Sequence, residues 1–287
     1  MGLLRERMVR DLRLRGLAPK TAVNYLRSAQ RLADHYPGRS PLELGEGEVK
    51  DFLLHMVNKE GIGPSTQGVY LSGIKFLYEV TLGRPQVVAG IRYPKSPRPL
   101  PDVLSGSEVQ RLLTCITPIR PRLLCTVMYA TGVRISEACR LKPEDIDARR
   151  GLIRVRQGKG RRDRQVPTGK KLLSVLREYW RVARPEGEYL FPGRVPSKPL
   201  TQKAVSGPLR PAAKAAGIRK HVTPHTFRHS YATHQLERGV SLRAIQVVLG
   251  HARIETTIRY TRMVSGHLAG LGSPLDVLGT PEGEALH

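Results

Sequence analysis

At 287 residues with 40% hydrophobic side chains, the chain is long enough for two ordinary domains and can bury cores without covalent staples. Its three cysteines, Cys115, Cys125 and Cys139, form no CxxC pair, which argues against a disulfide framework or a cysteine zinc site and predicts buried thiols in a reducing compartment. A net charge of +24, divided as +7 over residues 1–100 and +17 over residues 101–287, predicts a polyanionic partner gripped by two basic lobes instead of by one tail.

The N-terminal stretch MGLLRERMVRDLRLRGL interleaves charge with Leu and Met, so it reads neither as a signal peptide nor as a membrane span. Glu6 stands where a myristoylation signal needs Ser or Thr, and a cytoplasmic protein is expected. KTAVNYLRSAQRLADHY places Tyr25, Leu26, Ala29, Leu32, Ala33 and Tyr36 on one helical stripe, and GEVKDFLLHMVNKEG does the same with Val49, Phe52, Leu53, Met56 and Val57. With LLRERMVRDLRLRG before them and STQGVYLSGIKFLYEVTLG after, residues 1–84 predict a four-helix bundle. Pro85, Pro94, Pro97, Pro99 and Pro101 then forbid a long helix, so residues 85–102 read as an extended linker with a domain boundary near residue 100.

Residues 103–287 alternate helical patterns with one hairpin, giving a mainly α fold with a small β-sheet (α+β). In ATGVRISEACRL, Gly132 ends a helix and Arg134 stands one turn before Glu137. On a surface such a pair is worth only ~0.2–0.5 kcal/mol, but Glu137 could also orient a guanidinium whose fork binds two phosphate oxygens. GLIRVRQGKGRRDRQVP reads as two short strands around a Gly-flanked turn, carrying eight basic residues between Arg149 and Arg164 against the single Asp163. Arg154, Arg156, Arg161, Arg162 and Arg164 are candidate DNA contacts, although a basic hairpin can equally be a solvated face. Lys159, between two glycines, is a mobile ammonium able to donate a proton.

TPHTFRHSYATHQLERG follows, with Thr223 as N-cap and Pro224 at the first helical position. His225 and Arg228 share a face at the helix start, where free N–H groups favour an anion. His225 and His229 also have the spacing of a helical metal pair, with His234 near, but no HExxH is present and Arg228 would set a fixed cation beside the metal. SLRAIQVVLG ends at a C-cap glycine, Gly250, followed by His251; Tyr260 lies nine positions further on. In a chain with ten tyrosines, one taken alone reads as packing.

Taken jointly, these motifs resemble the tyrosine recombinase, or phage integrase, family over nearly the whole chain. The family pattern reads here as TGVRISE with Arg134, GKG with Lys159, HTFRH with His225 and Arg228, LGH with His251, and TTIRY with Tyr260. The resemblance implies an N-terminal core-binding (SAM-like) domain over residues 1–84 and a catalytic domain over residues 103–287. It implies that Tyr260 attacks a phosphodiester of double-stranded DNA to form a 3′-phosphotyrosyl bond, with neither metal nor ATP. Arg134, Arg228 and His251 would bind the phosphate, Lys159 would protonate the leaving 5′-oxygen, and His225 would help take the tyrosine proton, with Glu137 and His229 in support. A homo- or heterotetramer on paired sites is implied, with a monomer or dimer off DNA. The 66-residue interval from Lys159 to His225 leaves no evident room for the helix that integron integrases insert, which favours a Xer-like or transposon-borne enzyme. Leu268 and Leu271 could belong to a tail helix docking on a neighbour. Two alternatives remain: a type IB topoisomerase-like DNA-relaxing enzyme, and a DNA-binding architectural protein without catalysis. A metal-dependent nuclease would need an Asp/Glu cluster, and the acidic residues here are dispersed.

Overall fold

The computed structural model describes residues 2–95, 100–156, 163–251, 254–258 and 260–261. The chain divides into two compact units, residues 1–99 and 100–287. Among the described residues no helix is long and apolar enough to cross a membrane.

The first unit is built from α1 (Gly2–Leu14), α2 (Pro19–His35), α3 (Glu46–Asn58) and α4 (Pro64–Phe76), the last running into a π-helical turn over Leu77–Thr81. α2, α3 and α4 begin where the sequence supplies a start. Pro19 and Pro64 occupy first-turn positions that need no N–H, and the Glu48 carboxylate accepts the Gly45 N–H at 3.0 Å. Met8, Leu12, Ala29, Leu32, Val49, Phe52, Met56, Leu71 and Ile74 form the core. Val57, expected on the inward stripe of α3, is exposed. The α2–α4 crossing is close because Gly73 has no Cβ; one placed there would stand 2.6 Å from the Cβ of Ser28.

Part of the expected extended linker is instead helical. Gln86–Ala89 form α5, and Val87, Val88 and Ile91 are buried against the bundle core. Pro85 precedes that helix with a helix-compatible backbone, so the proline starts a turn where a break was expected.

The second unit holds α6 (Gly106–Cys115), α7 (Ile119–Thr131) and α8 (Ile135–Cys139), then an antiparallel sheet in the order β1 (Ile146–Asp147), β2 (Leu152–Val155), β3 (Arg164–Pro167). The β2–β3 register pairs Ile153 with Val166, and both side chains enter the main core. Beyond the sheet come α9 (Lys170–Ala183), α10 (Gln202–Ser206), α11 (Leu209–Ala215), α12 (Pro224–Glu237), α13 (Leu242–Leu249) and α14 (Glu255–Ile258). α12 serves two cores at once. Its Phe227 packs into the main cluster with α6, α7 and the sheet, whereas Tyr231, Ala232 and Leu236 form a smaller cluster with Ile245, Leu249 and Tyr260. Arg228 lies on α12 between those two apolar faces.

Candidate active site

Two helix C-termini define the site. α7 ends at Gly132 with φ +68° and α13 at Gly250 with φ +62°, left-handed positions that glycine occupies without strain. The last carbonyls of a helix have no partner within it, and the helix dipole makes that end negative. Three guanidiniums satisfy the end of α13. Val248 O accepts from Arg164 Nε at 2.7 Å, Leu249 O from Arg228 Nη2 at 2.7 Å, and Gly250 O from Arg134 Nη2 at 3.1 Å. Arg228 also donates from Nη1 to Gly132 O at 2.5 Å, joining the two helix ends.

Arg134 is the N-cap residue of α8, and Glu137 reaches back to it. Its Oε2 accepts the Arg134 backbone N–H at 2.8 Å, and its Oε1 accepts from Nη1 at 2.9 Å. The pair is far from the surface ion pair its spacing allows, because the Glu137 side chain is only 3% exposed. Burial works against its ionisation, yet the Arg164 fork, Arg134 and the backbone N–H outweigh it and hold the carboxyl down at about 2.

Arg228 is 3% exposed, and burial followed by the nearby Arg134 charge lowers its pKa to about 10, leaving it a cation at neutral pH. Its Nη2 lies 2.9 Å from His251 Nε2. A guanidinium only donates, so Nε2 accepts and the ring proton resides on Nδ1, which donates to Thr257 Oγ1 at 2.9 Å. Burial, then Arg228 and Arg134, push His251 down to about 3, so this imidazole is neutral. His225 is also held below the ordinary histidine range, by lost solvation first and then by Arg228 and Arg134.

Tyr260 is 1% exposed and in contact with two imidazoles. Its hydroxyl lies 3.0 Å from His229 Nδ1, and its ring stacks on that of His251 at 6.3 Å with 13° between planes. His229, rather than His225, is therefore the imidazole at the tyrosine hydroxyl; His225 lies one turn earlier, its ring 6.4 Å from that of His229. The Nδ1 of His234 bonds Tyr129 Oη at 2.9 Å.

The structure thus brings Arg134, Glu137, Arg228, His229, His251 and Tyr260 together, with His225 adjoining. Arg164 corrects an expectation: proposed as a DNA contact, it is turned inward, with its side chain 10% exposed and its guanidinium on Glu137. Alternation along β3 carries the signal, since Arg164 shares its face with buried Val166. Arg154 and Arg156 are exposed but engaged, Arg154 with Asp163 at 2.9 Å and Arg156 with Asp145 and Glu144. Lys159, Arg161, Arg162 and the tail with Leu268 and Leu271 lie outside the described residues. Among the described residues no group of three or more His, Cys, Asp or Glu could hold a metal ion.

Residues 102–267 match the phage integrase family, and residues 4–87 match the N-terminal SAM-like domain of phage integrases. The Sinorhizobium fredii protein y4qK, named for an integrase/recombinase, is 39% identical over 279 residues, covering 97% of this chain and 90% of its own. The tyrosine recombinase XerA of Thermococcus onnurineus is 36% identical over 263 residues, covering 90% and 89%. In fold, the chain matches a crystal structure of a lambda integrase dimer bound to a COC′ core site, with a TM-score of 0.73 at 20% identity, covering 89% of this chain and 96% of that one. The chain belongs to the phage integrase family, the tyrosine-type site-specific recombinases.

Proposed function

We propose that the protein cleaves and rejoins double-stranded DNA at specific sites through a 3′-phosphotyrosyl bond to Tyr260, without metal or ATP in the step. The observation that carries this reading is the convergence of three guanidiniums on the end of α13, beside a tyrosine whose hydroxyl meets an imidazole. Three guanidiniums against one carboxylate leave a net +2. A phosphodiester carries one negative charge and its pentacoordinate transition state about two, so the site favours the transition state over the ground state.

In the reaction the Tyr260 oxygen forms a bond to phosphorus, the bond from phosphorus to O5′ breaks, and the leaving oxygen takes a proton to become a 5′-hydroxyl. His229 receives the tyrosine proton, with His225 adjoining. Arg134 and Arg228 hold the non-bridging oxygens, and His251 supplies a neutral polar edge beside them. Lys159 fits the role of proton donor to O5′, on the resemblance of its GKG turn. The covalent bond keeps the energy of the broken linkage, so a 5′-hydroxyl from a partner strand displaces the tyrosine and completes exchange. Two duplexes present four strands, hence four active sites and a synaptic homo- or heterotetramer. The basic first unit, by its likeness to the SAM-like domain, serves as a second grip on DNA, and the protein works in the cytoplasm.

The test is to express the wild type and Tyr260→Phe in cells carrying the native flanking DNA, capture protein-linked DNA under denaturing conditions and sequence its ends. Adducts at discrete positions, formed by the wild type alone and undiminished by EDTA, are expected. Absence of adducts from both, alongside sequence-selective binding, would replace this reading with a non-catalytic DNA-binding one.

A further inference from the structure

We propose that Arg164 is a positioning residue of the cleavage reaction, which saturates Glu137 and so leaves Arg134 available to phosphate. This rests on the reading above that Arg134 holds the scissile phosphate. A carboxylate offers about four lone-pair sites. On Glu137, Oε1 accepts from Arg134 Nη1 and Arg164 Nη1, both at 2.9 Å; Oε2 accepts from the Arg134 backbone N–H at 2.8 Å and from Arg164 Nη2 at 2.7 Å. The parallel two-bond fork, the stronger and more directional geometry, belongs to Arg164. Arg134 contributes only one side-chain bond to the carboxylate, and its side chain stays twice as exposed as that of Arg164, 20% against 10%.

Two independent features show that the fold is fitted around this guanidinium. Arg164 Nε donates to Val248 O at 2.7 Å, so one side chain fastens the return strand of the hairpin to α13 as well as to α8. A Cβ at Gly250 would stand 3.2 Å from both Cδ and Nε of Arg164, so the glycine of LGH also makes room for it.

Removal of Arg164 would leave a buried carboxylate with one cation for company. A buried charge short of partners is strongly unfavourable, and the nearest relief is a two-bond pair with Arg134 itself. That pairing would turn the Arg134 fork away from phosphate and reduce the net charge of the site from +2 to +1. The defect would fall on chemistry, while DNA binding, spread over many contacts, would persist.

The experiment uses a nicked duplex carrying the cleavage position mapped with the wild type, with covalent adduct formation followed in single turnover at saturating full-length protein. Arg164→Met is expected to form adduct about 10²-fold more slowly, as for loss of one preorganised donor, with DNA affinity within about threefold of wild type. Adding Glu137→Gln to Arg164→Met removes the unbalanced charge and is expected to recover about tenfold, although Glu137→Gln alone slows the wild type. Arg164→Lys, which keeps the charge without the fork, falls between. An Arg164→Met rate within about threefold of wild type would overturn the proposal, as would a double variant no faster than the single one. Loss of affinity and rate together in both would assign Arg164 to the scaffold alone and overturn it too. A wild type that binds but leaves no adduct would overturn the recombinase reading instead.

Discussion

Individual side chains in this site are governed by what surrounds them more than by their own chemistry. Gly132 shows this most simply. A Cβ there would stand 2.5 Å from Tyr231 and 2.8 Å from Leu249, at φ +68°. Gly132→Ala is expected to lower stability by about 1–3 kcal/mol and to displace the carbonyl that receives Arg228, measurable as a reduced Tm together with slower cleavage. The ionisable groups give a pH dependence with a definite sign. His251 is held near 3 against 6.5 unfolded, and Glu137 near 2 against 4.5, so in both cases the unfolded chain takes up protons first as pH falls. Their stabilisation is complete above 6.5 and 4.5 respectively and is lost as pH approaches 3 and 2. In melts across this range, His251→Gln should flatten the upper part of the decline by about one bound proton, and Glu137→Gln the lower part. Much of this residue-level picture was legible in the sequence. Arg134, Glu137, Arg228, His251 and Tyr260 stand in motifs that jointly resemble those of a known family, whereas the preference of Tyr260 for His229 over His225 depends on how the 260 segment approaches α12.

Helix ends and strand faces account for what the sequence left obscure at the next scale. Every residue carries a carbonyl, so nothing in LGH announces that Val248, Leu249 and Gly250 each receive a guanidinium; only the convergence of β3, α12 and α8 on that terminus reveals it. The inward turn of Arg164 was available from its alternation with Val166, but its partner Glu137 lies 27 residues away and no local pattern links them. α5 was hidden by a run of prolines, of which Pro85 starts a helix and buries Val87 and Val88 behind it. In the first unit, the α2–α4 crossing depends on Gly73 alone at its tightest point. Gly73→Val is expected to overpack that crossing and destabilise the bundle by about 1–3 kcal/mol, seen as an earlier far-ultraviolet CD transition. Fluorescence of Trp180, the single tryptophan, on α9 in the other unit, should be unmoved by the same substitution.

For the whole molecule, charge and core separate cleanly. Each unit is held by buried clusters of its own, among the described residues one in the first and two in the second, while the +24 charge is shared between both, so stability is local and attraction to DNA is collective. Binding to random-sequence duplex should therefore weaken by about 10³-fold or more between 50 and 200 mM salt, as expected for six or more phosphate contacts; a shallow dependence would confine the contact to one small patch. The acceptors gathered at the end of α13 belong to the main chain, and no codon change at Val248 or Leu249 can delete them. Inheritance can alter which guanidiniums arrive, as it could at Arg134, Arg164 or Arg228, but the half of the site that receives them is specified by the path of the backbone. Variation among descendants of this chain is then channelled into the donors, with Gly250 a position where a single substitution reaches both halves together.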